Sequence, residues 1–460
     1  MKNITVVLIL FLSLSLFSQN NYNYKQIDSL SYNAYLKKDW KTVIKIGKEG
    51  LKQDFDYYYL RMRLGIAYYE QEKYRKAAPH FEKALEFNSS DTLATEYLFY
   101  SYLFSNQELL ARKSMNKLPN TKAKKYLEDF KIVSNIYAFY GTRVYRTKNM
   151  ESKAQKSYEK EVLADTLLIS TSRSYPTNYQ NFQIGTDFRI LPFWNMELAY
   201  QSFNIENKTY ILSPNPPNME LGYFEITGNN QIKASQWYIK NTFSISRHFE
   251  SSLFFDYQDY SSETKYTQPD FIPSNIRLIN DTSFNDYQIL TGFAINYKQS
   301  FFDIDWSTSF LTSPSTPTLQ SDLNFNIFPF ANNKLSTGIK LTYLGYNDKE
   351  SSILYSPFVT FKPLKRVNLT LMGSWGDRHN WQSDYGYSLY NGLYIINTIY
   401  KAAIDIRVYK GLYLKIHYEY LNRESNIVVT DMITGKEIEN KKEIINFGTH
   451  SIIGGLIWEF

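Results

Sequence analysis

Residues able to do acid–base or metal chemistry are few and scattered. The five histidines, His80, His248, His379, His417 and His450, contain no pair at metal-ligand spacing. The chain has no cysteine, which excludes disulfides, thiolate nucleophiles, cysteine zinc sites and a lipoprotein cysteine. Gly-rich phosphate loops and a nucleophile elbow are absent. What remains is a set of charges at alternate positions. Lys240, Asp256, Asp303, Asp305, Asp322, Lys340, Asp405, Arg407, Lys415 and Glu419 stand out, with Asp187, Arg189 and Lys401 of the same kind. On strands such residues share a face, and in a closed sheet they share a lumen. Two readings stay open: a lining that selects a solute or guides a polymer, or a lumen shut by paired charges, since buried ions need partners. Neither needs a catalytic residue, a metal or a cofactor, and no enzyme is expected.

The elements that must carry these charges are strands. Trp237, Ile239, Phe243 and Ile245 alternate with Gln236, Tyr238, Lys240 and Thr242. Phe302, Ile304, Trp306 and Phe310 alternate with Asp303, Asp305, Ser307 and Ser309. Leu412, Leu414, Ile416 and Tyr418 alternate with Tyr413, Lys415, His417 and Glu419. A two-residue period with one apolar face predicts a strand. About fourteen such runs follow one another over 134–460, many reaching the ~9–11 residues that cross a bilayer at a tilt. Tight turns near 191–194, 247–249, 298–300, 329–332, 363–365 and 410 alternate with connections that are mostly long and polar, such as 148–176, 208–230, 264–283 and 425–443. The expected fold class is therefore α + all-β: N-terminal helices, then an antiparallel up-and-down transmembrane β-barrel of about fourteen strands. Short turns on one side and long loops on the other are the pattern of bacterial barrels, and an even strand number returns both barrel ends to the short-turn side.

Composition agrees. A mean hydropathy of −0.42 reads as soluble, yet Tyr 41, Phe 31 and Trp 7 make the chain strongly aromatic. A membrane barrel reconciles the two, because only alternate residues meet lipid and aromatic girdles sit at the interfaces. The net charge of +6 is spread along the chain with no basic block, so no nucleic-acid partner is expected.

Before the strands lie an address and a helical segment. Lys2, an apolar run from Ile4 to about Phe17 and then Ser18-Gln19-Asn20 predict a signal peptide over 1–19. Residues 20–130 are expected to form a periplasmic helical domain. Leu64, Gly65, Tyr68, Ala77, Phe81 and Ala84 stand at the spacings of the tetratricopeptide repeat, and the segment resembles that family. Shifts of the 34-residue period reach Leu30, Ser31, Ala34, Val43, Gly47 and Gly50 before it, and Leu98, Phe99, Tyr102, Ala111, Met115 and Leu118 after it. The resemblance implies a module that docks a periplasmic protein or peptide.

At the other end, Phe460, Trp458, Leu456 and Ile452 share a face. This resembles the C-terminal strand signature of outer-membrane barrels, which implies recognition by the barrel-assembly machinery and contact with outer-membrane lipid. His450 beside Ser451 invites comparison with outer-membrane phospholipases, but neighbours in a strand point to opposite faces. Repeats followed by a barrel resemble, in domain order only, the exporters of alginate, cellulose and poly-N-acetylglucosamine. The expectation is an outer-membrane barrel with its N-terminal domain in the periplasm. It acts as a transport or secretion-associated pore, or alternatively as a closed-barrel anchor for an envelope complex; a hydrolase ranks third.

Overall fold

The computed structural model describes residues 22–116, 130–145, 169–214, 223–267, 280–312, 317–347, 350–379, 381–384, 388–390, 395–431 and 443–460. The expected signal peptide lies outside them. The chain divides into two compact units, residues 1–102 and 103–460.

The helices are α1 (Tyr24–Leu36), α2 (Trp40–Lys52), α3 (Tyr58–Glu70), α4 (Tyr74–Phe87), α5 (Thr92–Phe104) and α6 (Glu108–Met115). A capping box starts α1: Asn23 Oδ1 accepts from the Gln26 amide and Gln26 Oε1 from the Asn23 amide, both at 2.9 Å. Asp39 caps α2 by accepting from the Thr42 amide at 3.2 Å. Lys38, Glu72 and Asn106 all adopt positive φ, at 55°, 57° and 58°. Each sits in the turn that joins a helix pair, and each is one repeat period from the next, so backbone as well as side chains repeats. Small residues set the approach both between successive pairs and within them. A Cβ on Gly47 would lie 2.6 Å from Leu64 Cδ2, and one on Gly65 would lie 2.6 Å from Phe81 Cε1. Leu64, Gly65, Tyr68, Ala77, Phe81 and Ala84 are all buried, as are Ser31, Ala34 and Val43 one period earlier. Leu30, by contrast, is exposed, and Leu118 lies outside the described residues.

The strands are β1 (Val133–Tyr145), β2 (Ile169–Leu191), β3 (Trp194–Pro214), β4 (Tyr223–Ser244), β5 (Phe249–Thr267), β6 (Thr282–Lys298), β7 (Phe302–Thr312) and β8 (Thr318–Ile327). There follow β9 (Leu335–Tyr346), β10 (Ser352–Leu364), β11 (Val367–Arg378), β12 (Trp381–Ser383), β13 (Ser388–Tyr390), β14 (Ile395–Tyr409), β15 (Leu412–Asp431) and β16 (Glu443–Glu459). Fourteen of them close an antiparallel barrel in which each pairs with its neighbour in sequence, β11 with β14, and β16 with β1. The remaining pair, β12 and β13, forms a separate two-stranded sheet.

Two features depart from the expected layout. The ends of the segments 208–230, 264–283 and 425–443, and the end of 148–176, are ladder rather than loop: β3 and β4, for example, still pair at Asn207↔Asn230 and Lys208↔Asn229. Apolar–polar alternation marks a strand only where one face meets an apolar phase, whereas the ladder itself is built by backbone groups. The Pro-rich stretch 213–218 contributes its first two residues to the end of β3, and the rest lies outside the described residues. The second departure is a clasp. Past the ends of β1 and β16, β15 pairs directly with β2, from Val428↔Ser172 to Asp431↔Ile169.

The barrel's two faces follow the period of two. Outward go Ile136, Trp237, Leu253, Trp306, Leu323 and Ile452, all large and exposed; inward go the alternate, mostly polar positions. No described helix is long and apolar enough to cross a membrane, so these outward strand faces are where an apolar phase would be met.

Candidate functional site: the barrel lumen

Every charged position singled out from alternation lies on the inner face. Asp256, Asp305, Asp322 and Glu419 are buried, and Asp303, Lys240, Lys340, Asp405 and Lys415 half-buried. Arg407, nearest the short-turn end, is more exposed. Ladder register then brings opposite charges together. Lys240 meets Glu197 at 3.5 Å, Lys298 meets Glu250 at 2.6 Å and Lys340 meets Asp322 at 3.1 Å. Lys401 meets Glu419 at 2.9 Å, and Lys415 meets Asp405 at 3.8 Å. Arg143 bridges two strands, reaching Glu419 at 3.8 Å and donating to Ser451 Oγ at 2.6 Å. Asp256 accepts from the Gln236 amide and lies on the same face as Phe254.

A belt of neutral amides, which charge alternation does not mark, also lines the wall. Gln183, Gln201, Gln236, Gln258 and Gln288 occupy directly opposed ladder positions on the five consecutive strands β2 to β6. None is more than 8% exposed. Gln183 Nε2 donates to Gln201 Oε1 at 3.0 Å. Amides stacked this way can donate to one neighbour and accept from the other, so the row can continue across strands without charge. On the short-turn side of this belt, Tyr137, Tyr238 and Phe254 form an apolar cluster with Ala199, Leu290, Ala294 and Leu311. Glycine makes room for two of the rings. A Cβ on Gly185 would come within 2.3 Å of Tyr137, and one on Gly292 within 2.3 Å of Phe254.

The hairpin β12–β13 narrows the lumen. It leaves β11 just after Arg378 and is held against inner-face residues. The Gln382 amide nitrogen donates to Gln320 Oε1 at 3.1 Å, Gln320 Nε2 donates to Gln382 O at 3.0 Å, and the Gln382 side chain donates to Ser309. Trp381 is buried with Leu344, Leu354, Ile396, Ile399 and Leu421. Two cations lie over its ring, Arg378 at 5.3 Å and Lys401 at 5.5 Å. Arg378 is itself almost wholly buried and donates to Ser374 Oγ at 3.0 Å. Three-residue strands carry no periodicity, so alternation could not find this element; the Gln382–Gln320 exchange has no local sequence mark either.

At the short-turn mouth, α6 is fastened to the wall. Arg112 donates to Leu191 O at 2.9 Å and to the Asn195 side chain. Glu108 accepts from Arg189 Nε at 2.7 Å and lies 3.4 Å from Arg112 Nε. A cavity of about 360 Å³ lies here, walled by Glu108, Asp187, Arg189, Glu197, Lys240 and Lys298 among others.

His450 lies outward, where Tyr418 Oη and its Nδ1 are 2.8 Å apart, while Ser451 is buried on the inner face, so the two diverge. Trp458 and Phe460 lie outward, each about half exposed. Among the described residues no group of three or more His, Cys, Asp or Glu is placed to hold a metal ion. In the helical unit, Arg63 donates to Asp28 Oδ1 at 2.7 Å, and Arg61 grips Asp56 through two bonds of 2.7 Å. Burial works against the Asp28 charge, but the Arg63 and Tyr57 hydrogen bonds outweigh it and hold the carboxyl below its ordinary range. The Arg61 hydrogen bond does the same for Asp56. His80 is pushed down to about 3, first by burial and then by the Arg61 charge.

The tetratricopeptide repeat family model matches residues 58–91. The chain thus joins a tetratricopeptide repeat to a closed fourteen-stranded barrel. A Dictyostelium discoideum protein, the STIP1 homolog, is 31% identical over 102 residues, which are 22% of this chain and 18% of that one. The chain therefore spans less than a fifth of the length of the curated relative it matches. Among solved structures, the TodX deltaS2S3 mutant monoaromatic hydrocarbon channel is similar over 72% of this chain and 92% of its own, at 6% identity and a TM-score of 0.44. The Pseudomonas putida toluene transporter TodX gives 71%, 90%, 7% and 0.41. The translocator domain of the autotransporter NalP from Neisseria meningitidis gives 78%, 99%, 7% and 0.30.

Proposed function

We propose that the chain is an exported outer-membrane protein whose barrel is a narrow solute pore, with its helical repeats in the periplasm. The observation that carries the reading is the inner wall. It carries ion pairs and a belt of amides beside two apolar clusters, and it is narrowed by a hairpin hydrogen-bonded to it. Hydrogen bonds and ion pairs along the wall offer a passing polar solute successive partners. The repeats serve as a docking surface for a periplasmic protein or peptide, the usual work of such arrays, and the segment 1–19 is the export signal. Outward rings such as Trp458 and Phe460 meet outer-membrane lipid, and the last strand is the part offered to the barrel-assembly machinery.

One observation favours a second reading. Ion pairs between adjacent strands satisfy much of the wall charge, as a closed anchoring barrel would need. Planar-bilayer recording of the refolded full-length protein separates the two. The pore reading expects a small steady ohmic conductance that rises several-fold when Trp381→Ala loosens the hairpin. Silence from both proteins, with folded barrels confirmed by heat-modifiable gel migration, would establish the anchor instead.

A further inference from the structure

The lumen charges are sorted by sign around the ring. Fourteen strands divide into two runs of seven neighbours, β2 to β8 and β9 to β1 by way of β16. On the inner face of the first run stand Glu197, Glu250, Asp256, Asp303, Asp305 and Asp322, with Asp187 and Asp286 beside them. Its inner cations are Arg189, Lys240 and Lys298. On the second run stand Lys340, Arg378, Lys401, Lys415, Arg423 and Arg143, with Arg407 and Lys362 towards the short-turn end. Its inner acids are Asp405, Glu419 and Glu459.

The sorting survives local pairing. Lys240–Glu197 and Lys298–Glu250 lie wholly within the first half, and Lys401–Glu419 and Lys415–Asp405 wholly within the second. Removing those four pairs leaves the first half net acidic and the second net basic. Asp322–Lys340 sits at the junction, where the sign changes between β8 and β9.

Opposed walls of opposite sign set up a field directed across the lumen, and low-dielectric walls focus it. A single ion gains at one wall and loses at the other. A neutral solute gains little. A solute carrying both charges can lie across the lumen with its ammonium towards β2–β8 and its carboxylate towards the other half. We infer that the lumen selects small zwitterions, the class of free amino acids and very short peptides, over neutral solutes of the same size. The inference rests on the pore reading above.

The test is swelling of proteoliposomes containing the full-length protein, at low ionic strength, with a zwitterionic amino acid against an uncharged polyol of matched mass. The expected result is at least about threefold faster swelling with the amino acid. The ratio of amino-acid to polyol entry should fall to about one in Asp303→Asn/Asp305→Asn and in Arg407→Gln/Lys415→Gln. Raising the salt to 1 M, where the Debye length is about 3 Å, should also abolish the preference. Equal rates in the unaltered protein, or a preference indifferent to both double variants and to salt, would overturn the inference and leave the pore intact. Swelling with neither solute would overturn the pore reading, and the inference with it.

Discussion

His80 is where a single proton bears most on stability outside the barrel. Its ring stacks on Tyr68 at 5.4 Å and its Nδ1 lies 3.2 Å from Arg61 Nη1. Burial and that guanidinium hold the folded pKa at about 3, against 6.5 for the free side chain. Below pH 6.5 the unfolded chain takes up a proton that the folded one refuses, so stability present above 6.5 is lost as pH falls towards 3. For one proton the slope is at most about 1.4 kcal/mol per pH unit. Asp28 and Asp56, with lowered pKa values, add their own loss only below about 4. In His80→Phe, which keeps the stacking, denaturation midpoints followed by the helical dichroism signal should change much less between pH 7 and 4.5 than in the parent. Equal pH dependence in the two proteins would show that His80 is not the sensor. At this scale the repeat positions were legible because close helix packing restricts residue size: Gly65 must be small where Phe81 must be large. The lumen charges were legible because alternation fixes their face. Their partners were not, since Lys298 and Glu250 meet only once the register is known.

Among elements, α6 shows what periodicity leaves out. Its spacing suits a third repeat, yet its polar residues Glu108 and Arg112 bind the barrel wall at Arg189, Leu191 and Asn195. Those bonds join residues about eighty positions apart, which no local pattern encodes. Charge-assisted bonds of this kind are worth about 1.5–3 kcal/mol each. Glu108→Ala should therefore speed amide hydrogen exchange in 108–115 by about tenfold or more, leaving exchange in α3 and α4 unchanged. No change in α6 would mean that burial of Leu109, Leu110 and Met115, rather than the ionic latch, holds it. The strands were legible wherever one face meets an apolar phase, as from Phe302 to Phe310. Their outer extensions, and the hairpin at Trp381, were not, because polar ladders and three-residue strands carry no period.

For the whole molecule the decisive fact is closure. β1 and β16 pair over eleven positions, with Val144 opposite His450 and Ile136 opposite Trp458. Because the chain lacks cysteine, introduced thiols report without background. Val144→Cys/His450→Cys should oxidise to an intramolecular disulfide in the folded protein, visible as a shifted band on a non-reducing gel. Ile136→Cys/Ile452→Cys, out of register, should not. Crosslinking in the second pair alone would mean a slipped seam.

Strand length varies systematically around that ring. β2 to β5 run 23, 21, 22 and 19 residues, while β7 to β10 run 11, 10, 12 and 13. At about 3.3 Å per residue and a 45° tilt, the short group rises about 25 Å, close to what a bilayer core needs, and the long group about 50 Å. With the turns level on one side, the far rim is oblique: low on one flank, and raised about 25 Å as a free-standing crest on the other. If the proposed outer-membrane placement holds with the turns in the periplasm, a labelling reagent, protease or antibody applied to intact cells should find Lys208 and Asn229 well clear of the membrane while β7 to β10 stay shielded. Surface reactivity alone could thus report which way the barrel is inserted.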